Sequence, residues 1–350
     1  MNYRLWKRGH TVPISTPWRE GGEAKVYLSP NGDYAIKIYH HLAAFSADRV
    51  RWLVENRPPD LRNGIVGEAW AWPLDGVVDE QGRLVGYVMR LVKEAWPITL
   101  LFHREARLKR LPGLHTRHLA DVAANLFAVL DATHRRGIVL GDCSPNNVLF
   151  TARAGCTVID LDSAQITTPT GCFRCNVATP DYLCPSLGRL RDFSSVSRAP
   201  HHDVFSAAAV AYQTLTGGRH FCEGIAQPKR GQLPPPIAQR VTIGAWPHTT
   251  RRNKPMPIKP LKDVLDFEAL GPALGGLFRR AFDDGFDDPT RRPTAAEFRD
   301  ELRRFGREQK PCGKNHRHFY HQSLRHCPWC AIASRAGSDP FPAQLEATPP

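Results

Sequence analysis

Two short runs near the start of the chain, AKVYL at 24–28 and YAIKIY at 34–39, alternate apolar and polar positions on either side of Asn31-Gly32. A period of two around an Asn-Gly step predicts a β-hairpin. A second strand pair is expected near 74–78 and 84–92, joined through Gly82. From residue 118 the period changes: Leu119, Val122, Leu126, Val129, Leu130 and Thr133 recur at three and four, which predicts a helix that Gly137 stops. Two short strands follow at 148–150 and 157–159, then a helix over 204–216 ending at Gly217-Gly218. A last helix opens with Thr294-Ala295-Ala296-Glu297, a capping box, and turns Phe298, Leu302 and Phe305 inward. Residues 228–260, rich in proline and basic side chains, read as a loop, and 336–350 as a frayed tail. The pattern is therefore α+β, a small β-rich lobe followed by a larger helical one, with no internal repeat.

Composition narrows this picture. With 350 residues, 42% hydrophobic and 23% charged, the chain is globular. No apolar stretch is long enough to span a bilayer, and the N-terminus lacks a signal-peptide core, so a cytoplasmic protein without membrane contact is expected. Nine cysteines, an odd number and mostly scattered, suit packing or metal ligation in a reducing compartment. The formal net charge is +13. It concentrates in residues 104–117 (net +4), 251–262 (net +5) and 301–335 (net +6), leaving the rest of the chain slightly acidic. That distribution favours basic docking surfaces for a protein partner and argues against a nucleic-acid module.

Three places carry chemistry. Gly21-Gly22 sits at a hairpin tip, where backbone N–H groups can approach phosphate oxygens. Lys37 lies inside the apolar alternation of the next strand, where a lysine needs a partner. Gly141-Asp142-Cys143-Ser144-Pro145-Asn146-Asn147 follows the long helix, and Val158-Ile159-Asp160-Leu161-Asp162-Ser163 puts carboxylates at the end of an apolar strand. Asp and Asn oxygens are hard ligands suited to Mg²⁺, and a nearby carboxylate can orient a hydroxyl nucleophile.

In this order and spacing the motifs resemble a protein kinase-like domain over residues 14–306, with lobes 14–92 and 93–306 after an extension at 1–13. Thr179-Pro180-Asp181-Tyr182 resembles the end of an activation segment. Asp203 resembles the helix start that anchors the catalytic loop, and Asp288–Pro293 resembles a late turn of the large lobe. Gly141-Asp142, Asp160-Leu161-Asp162-Ser163-Ala164-Gln165 and Gly218-Arg219-His220-Phe221 look like a bacterial subgroup tied to tellurium-resistance-type phosphorylation triads. In that subgroup the partners are a von Willebrand A-domain protein and a PP2C-type phosphatase.

The resemblance implies roles. Asp142 would be the catalytic base, Lys37 would hold the ATP phosphates with Gly21, Gly22 and Val26 above them, and Asn147 and Asp160 would hold Mg²⁺. Met89 would be the gatekeeper, with Arg90, Leu91 and Val92 as the hinge, and Thr179 would support Asp142. The glutamate partner of Lys37 is Glu55 or Glu68. The chain departs from the pattern at Leu140-Gly141 (usually His-Arg), Ser144 (usually Lys), Asp162 and Ser186 (usually Glu). Because Lys37, Asp142, Asn147 and Asp160 are all retained, the expectation is an active ATP-dependent Ser/Thr protein kinase. The alternatives are a nucleotide-binding pseudokinase scaffold, a small-molecule kinase or a nucleic-acid-binding module.

Residues 307–335 form a separate Cys/His segment. Cys327-Pro328-Trp329-Cys330 is a knuckle in which two thiolates can share one Zn²⁺, and Cys312 supplies a third. The fourth ligand would be His316, His318, His321 or His326. The resemblance selects His318 and a structural zinc ribbon. Cys172 and Cys175 read as packing residues.

Overall fold

The computed structural model describes residues 2–42, 45–58, 68–253 and 255–343. Lys254 of the second basic segment and residues 344–350 of the expected tail lie outside them. The chain divides into two compact units, Met1–Ala95 with Thr157–Asp162, and Trp96–Cys156 with Ser163–Pro350.

The first unit is built on seven strands: β1 (Tyr3–Leu5), β2 (Thr11–Val12), β3 (Arg19–Glu20), β4 (Ala24–Leu28), β5 (Tyr34–Tyr39), β6 (Asp75–Val78) and β7 (Leu84–Arg90). They form one antiparallel sheet in the order β2-β1-β6-β7-β5-β4-β3. The expected hairpin is β4–β5, with Gly32 at φ +67° in its turn. Alternation along β5 sends Ile36 and Ile38 to one face with Val12, Val77 and Val85. It sends Ala35 and Tyr39 to the other, where helix α1 (Ala47–Glu55) lays down Val50 and Val54. Ser46 caps α1 by accepting from the Arg49 N–H. The segment 157–162 joins this unit through a ladder: Val158 donates to Ala69 O (3.0 Å), Ala71 donates to Val158 O (2.9 Å), and Thr157 Oγ1 donates to Glu68 O (2.6 Å).

The second unit is mainly helical. It contains α2 (Arg104–Arg110), α3 (Thr116–His134), α4 (Pro200–Leu215), α5 (Ile237–Thr242), α6 (Gly271–Arg279), α7 (Gly285–Asp287), α8 (Ala295–Arg307) and α9 (Pro328–Ala336). The apolar stripe of α3 is fully buried at Leu119, Val122, Leu126, Val129 and Leu130, and Phe127 stacks on Phe298 of α8 at 4.5 Å between centroids. The capping box forms: Thr294 Oγ1 accepts from Glu297 N while Glu297 accepts from Thr294 N. Among the described residues no helix is long and apolar enough to cross a membrane.

Four expectations need correction. The stretch 228–260 is not all loop. It holds α5 and the strand Ile258–Lys259, because Val241 and Ile258 find buried positions. The tail does not fray at 336, since Phe341 is buried against Trp329 at 5.1 Å and lies over the Arg107 guanidinium. Arg107 therefore does not belong to a basic surface. It is buried, donates to the carbonyls of Leu101 and Pro340, and burial lowers its pKa to about 10. Finally, Cys175 packs as expected but Cys172 does not. Cys172 pairs with Thr167 in the hairpin formed by Gln165–Thr168 and Gly171–Phe173 and is exposed.

Candidate functional site

In the β-rich unit the sheet sets the position of Lys37. It sits at the centre of β5, opposite Val26 of β4 and Tyr87 of β7, on the face shared by Ala35 and Tyr39. Strand β7 approaches closely here, because a Cβ on Gly86 would lie 2.0 Å from Lys37 O. Lys37 is 8% exposed. Its Nζ donates to Asp160 Oδ1 at 2.9 Å and to both carboxylate oxygens of Asp162 at 3.2 and 3.1 Å. Tyr87 Oη donates to Asp162 Oδ1 at 2.6 Å. Burial alone would lower the lysine pKa, but the Tyr87 oxygen, Asp162 and Asp160 outweigh it and hold the ammonium well above its usual range. Burial pushes the Tyr87 phenol up to about 12.

Neither glutamate considered from the sequence reaches Lys37. Glu55 is exposed at the end of α1, and Glu68 faces Arg90 at 3.8 Å. Helix α1 instead contributes Arg49, whose Nη1 donates to the Asp162 carbonyl at 2.7 Å. Asp160 takes a left-handed backbone conformation, φ +60°, which costs about 1–3 kcal/mol for a non-glycine residue. The Val158 ladder and the Lys37 pair hold it there.

The other residues expected beside a nucleotide lie on the same sheet or in the segments next to its strands. Gly21 and Gly22 link β3 to β4, and neither has a positive φ. A Cβ on Gly22 would meet nothing within 4 Å. The turn geometry does not require glycine there, and the glycines leave open space over the tip. Met89 is buried opposite Ala35, and Arg90 ends β7 opposite Tyr34. Leu91 donates its N–H to Asp33 O at 2.9 Å, and Val92 follows half-buried.

The helical unit positions the Asp142 loop. Asp203, 1% exposed in the first turn of α4, accepts from Leu140 N and Gly141 N, both at 2.7 Å, and lies 3.0 Å from His134 Nε2. Gly141 has φ +76°, and a Cβ there would strike Cys175 Sγ at 2.6 Å and the Arg198 guanidinium at 2.9 Å. Arg198 fills the space, donating to Gly141 O and to Val177 O. Asp142 then faces Thr179 and Asn147. Thr179 N donates to Oδ1 (2.9 Å) and Thr179 Oγ1 to Oδ2 (3.2 Å), while Asn147 Nδ2 donates to the Asp142 carbonyl (3.0 Å) and to Oδ2 (3.2 Å). Burial raises the Asp142 pKa, and the bonds from Thr179, the charge of Arg198 and the bond from Asn147 hold it back. Ser144, which stands where the resembled pattern usually has lysine, is buried with its hydroxyl unpartnered. Arg292, whose usual glutamate is the exposed Ser186, donates instead to Cys184 Sγ (2.9 Å), His201 O (3.1 Å) and Gly285 O (2.6 Å).

Cys312, His318, Cys327 and Cys330 converge, their ligand atoms all within 4.8 Å of one another. Cys312 Sγ to Cys330 Sγ is 3.6 Å, and His318 Nδ1 lies 3.5 Å from Cys330 Sγ and 3.7 Å from Cys327 Sγ. Tetrahedral zinc with bonds of about 2.3 Å to sulfur and 2.0 Å to nitrogen spaces its ligands by similar amounts, so the donor set fits that ion. His318 is fully buried and its Nε2 is 2.9 Å from Asp339 Oδ1. That bond orients the ring and leaves Nδ1 towards the sulfurs. The segment is tied to α3, where Thr116 N donates to Arg317 O and Thr116 Oγ1 bonds both Phe319 O and Phe319 N.

Sequence reasoning missed Asp162, Tyr87, Arg198 and Asp339. A signal for Asp162 did exist: a second aspartate two residues after Asp160, in a chain whose strand lysine has no clear glutamate.

Comparison with known proteins supplies the family. The protein kinase domain family matches residues 85–266, over half of the chain. The chain is 27% identical over 329 residues to the protein kinase YegI of Escherichia coli, covering 93% of this chain and 49% of that protein. It is 29% identical over 167 residues to the serine/threonine-protein kinase PknA of Mycobacterium tuberculosis, covering 45% of this chain and 35% of that protein. The chain thus spans about half the length of the Escherichia coli relative. A curled sheet carrying a buried lysine, a helical unit carrying an anchored Asp142 loop, and this match together establish that the chain belongs to the protein kinase domain family.

Proposed function

We propose that the chain is an ATP-dependent Ser/Thr protein kinase that transfers the γ-phosphate to a protein partner. The observation that carries this reading is the Asp142 carboxylate. Thr179 and Asn147 orient it, on a loop pinned by Asp203. Asp142 takes the proton of a Ser or Thr hydroxyl as that oxygen bonds to the γ-phosphorus and the bond to ADP breaks. Lys37 holds the phosphates, with Gly21, Gly22 and Val26 beside them. Met89, Arg90 and Val92 border the adenine. Asn147 and Asp160 supply the hard oxygens that suit Mg²⁺, which would neutralise charge on the phosphates. Cys312, His318, Cys327 and Cys330 hold a structural Zn²⁺, since all four positions are filled by protein.

The resemblance to the tellurium-resistance-type subgroup points to a von Willebrand A-domain protein as acceptor and a PP2C-type phosphatase as the opposing enzyme. Incubation with Mg-ATP and such an acceptor, followed by phosphosite mapping, tests the reading. Phosphoserine or phosphothreonine on the acceptor supports it. Nucleotide binding with no phosphosite would make the chain a pseudokinase, the reading that Ser144 favours.

A further inference from the structure

We infer that Asp162 is the positioning carboxylate for Lys37, doing on the Asp160 segment what a glutamate from helix α1 would do. The inference rests on the kinase reading above and names a residue that reading does not contain.

The geometry is fourfold. Both carboxylate oxygens of Asp162 lie within hydrogen-bond distance of Lys37 Nζ, at 3.2 and 3.1 Å. The Asp162 side chain is only 7% exposed, so the pair is shielded from water. Tyr87, directly across the ladder from Lys37, donates to Oδ1 at 2.6 Å and fixes the carboxylate's orientation. Arg49 of α1 donates to the Asp162 carbonyl at 2.7 Å and fixes its backbone. The alternatives are exposed or otherwise engaged. Glu55 is exposed, Glu68 faces Arg90, and Asp160, though 2.9 Å from Lys37, is the residue assigned to Mg²⁺.

A regulatory consequence follows from which element owns the carboxylate. Where a glutamate on the helix pairs with the lysine, movement of that helix makes or breaks the pair. Here the carboxylate sits two residues from Asp160, on the segment laddered to Ala69 and Ala71. Lys37 and Asp160 are therefore set together by one segment, and α1 contributes a cation to that segment's backbone and no acid to the lysine.

The test is a double-mutant cycle with Lys37→Ala and Asp162→Asn. It reads Mg-ATP affinity by calorimetry, and kcat and KM by phosphate transfer, with Glu55→Gln as comparison. Asp162→Asn is expected to lower kcat/KM for ATP by about 10- to 100-fold and to weaken Mg-ATP affinity, leaving KM for the protein acceptor unchanged. In the Lys37→Ala background the same change is expected to have little further effect, because residues that act through one another are not additive. Glu55→Gln is expected to match wild type. Tyr87→Phe, which removes only one hydroxyl, is expected to reproduce a smaller loss of about 3- to 10-fold and serves if Asp162→Asn does not fold. Additive losses across the cycle, or a loss in Glu55→Gln as large as in Asp162→Asn, would overturn the inference. The affinity arm keeps the two ideas apart: a chain that binds Mg-ATP but transfers no phosphate refutes the kinase reading, while coupling in the affinity cycle still decides the role of Asp162.

Discussion

Replacing Asp203 by asparagine probes how the Asp142 loop is held. The wild-type carboxylate has two oxygens for two backbone donors, Leu140 N and Gly141 N at 2.7 Å each, in a site that is 1% exposed. Asparagine is nearly isosteric but brings one oxygen and one NH₂ group. Its oxygen can serve one amide, and the other N–H is left facing a donor. A buried unsatisfied N–H costs about 1–3 kcal/mol, and losing the charge on the surviving bond costs about 1 kcal/mol more. The expected loss is about 3 kcal/mol. For a domain of this size each kcal/mol moves the melting temperature by about 2–4 °C, so Asp203→Asn should melt about 6–12 °C lower. Leu140 and Gly141, whose amides Asp203 holds, immediately precede Asp142, so phosphate transfer should also fall, by about 100-fold if the carboxylate is displaced by an ångström. Thermal unfolding followed by circular dichroism, with transfer measured well below the transition, reads both effects. A melting temperature within 2 °C of wild type, with unaltered transfer, would refute the claim that Asp203 pins the loop.

Two further outcomes follow from the same geometry. Because burial raises the Asp142 pKa, activity should fall on acidification at a higher pH than an ordinary aspartate would give. Thr179→Val removes a bond to the ionised form, so it should move that acid limb of the kcat/KM profile further up; an unmoved or lowered limb contradicts the assignment. Purified protein should contain about one zinc per chain. Cys330→Ser should abolish it and open residues 312–330 to limited proteolysis, whereas undiminished zinc in Cys330→Ser excludes the four-ligand site.

Much of the fold was legible because local signals and tertiary packing agree. Asn31-Gly32 marks a real hairpin, the α3 stripe is buried, and the Thr294 capping box forms. Lys37 was conspicuous as a charge within an apolar alternation, and the Cys/His spacing brought four ligands together. What could not be read depends on pairings across long separations. The partner of Lys37 is 125 residues away and is brought close by the Val158 ladder. The sequence therefore offered the nearer glutamates, Glu55 and Glu68. Cys184 as the acceptor for Arg292 was equally hidden, since a cysteine carries no charge pattern to announce it. Phe341 lies in a stretch whose glycine and prolines read as fraying, and only the Arg107 guanidinium and Trp329 show why it packs.

The central claim is that Asp142 is the base of a phosphoryl-transfer reaction. The most direct measurement is transfer of label from γ-³²P-ATP to a protein acceptor in Mg²⁺, wild type beside Asp142→Asn. The account predicts labelled acceptor with wild type and a loss of at least about 100-fold with the variant, while Mg-ATP affinity is retained. Equal labelling by the two proteins, or none by wild-type protein that binds Mg-ATP, would contradict it.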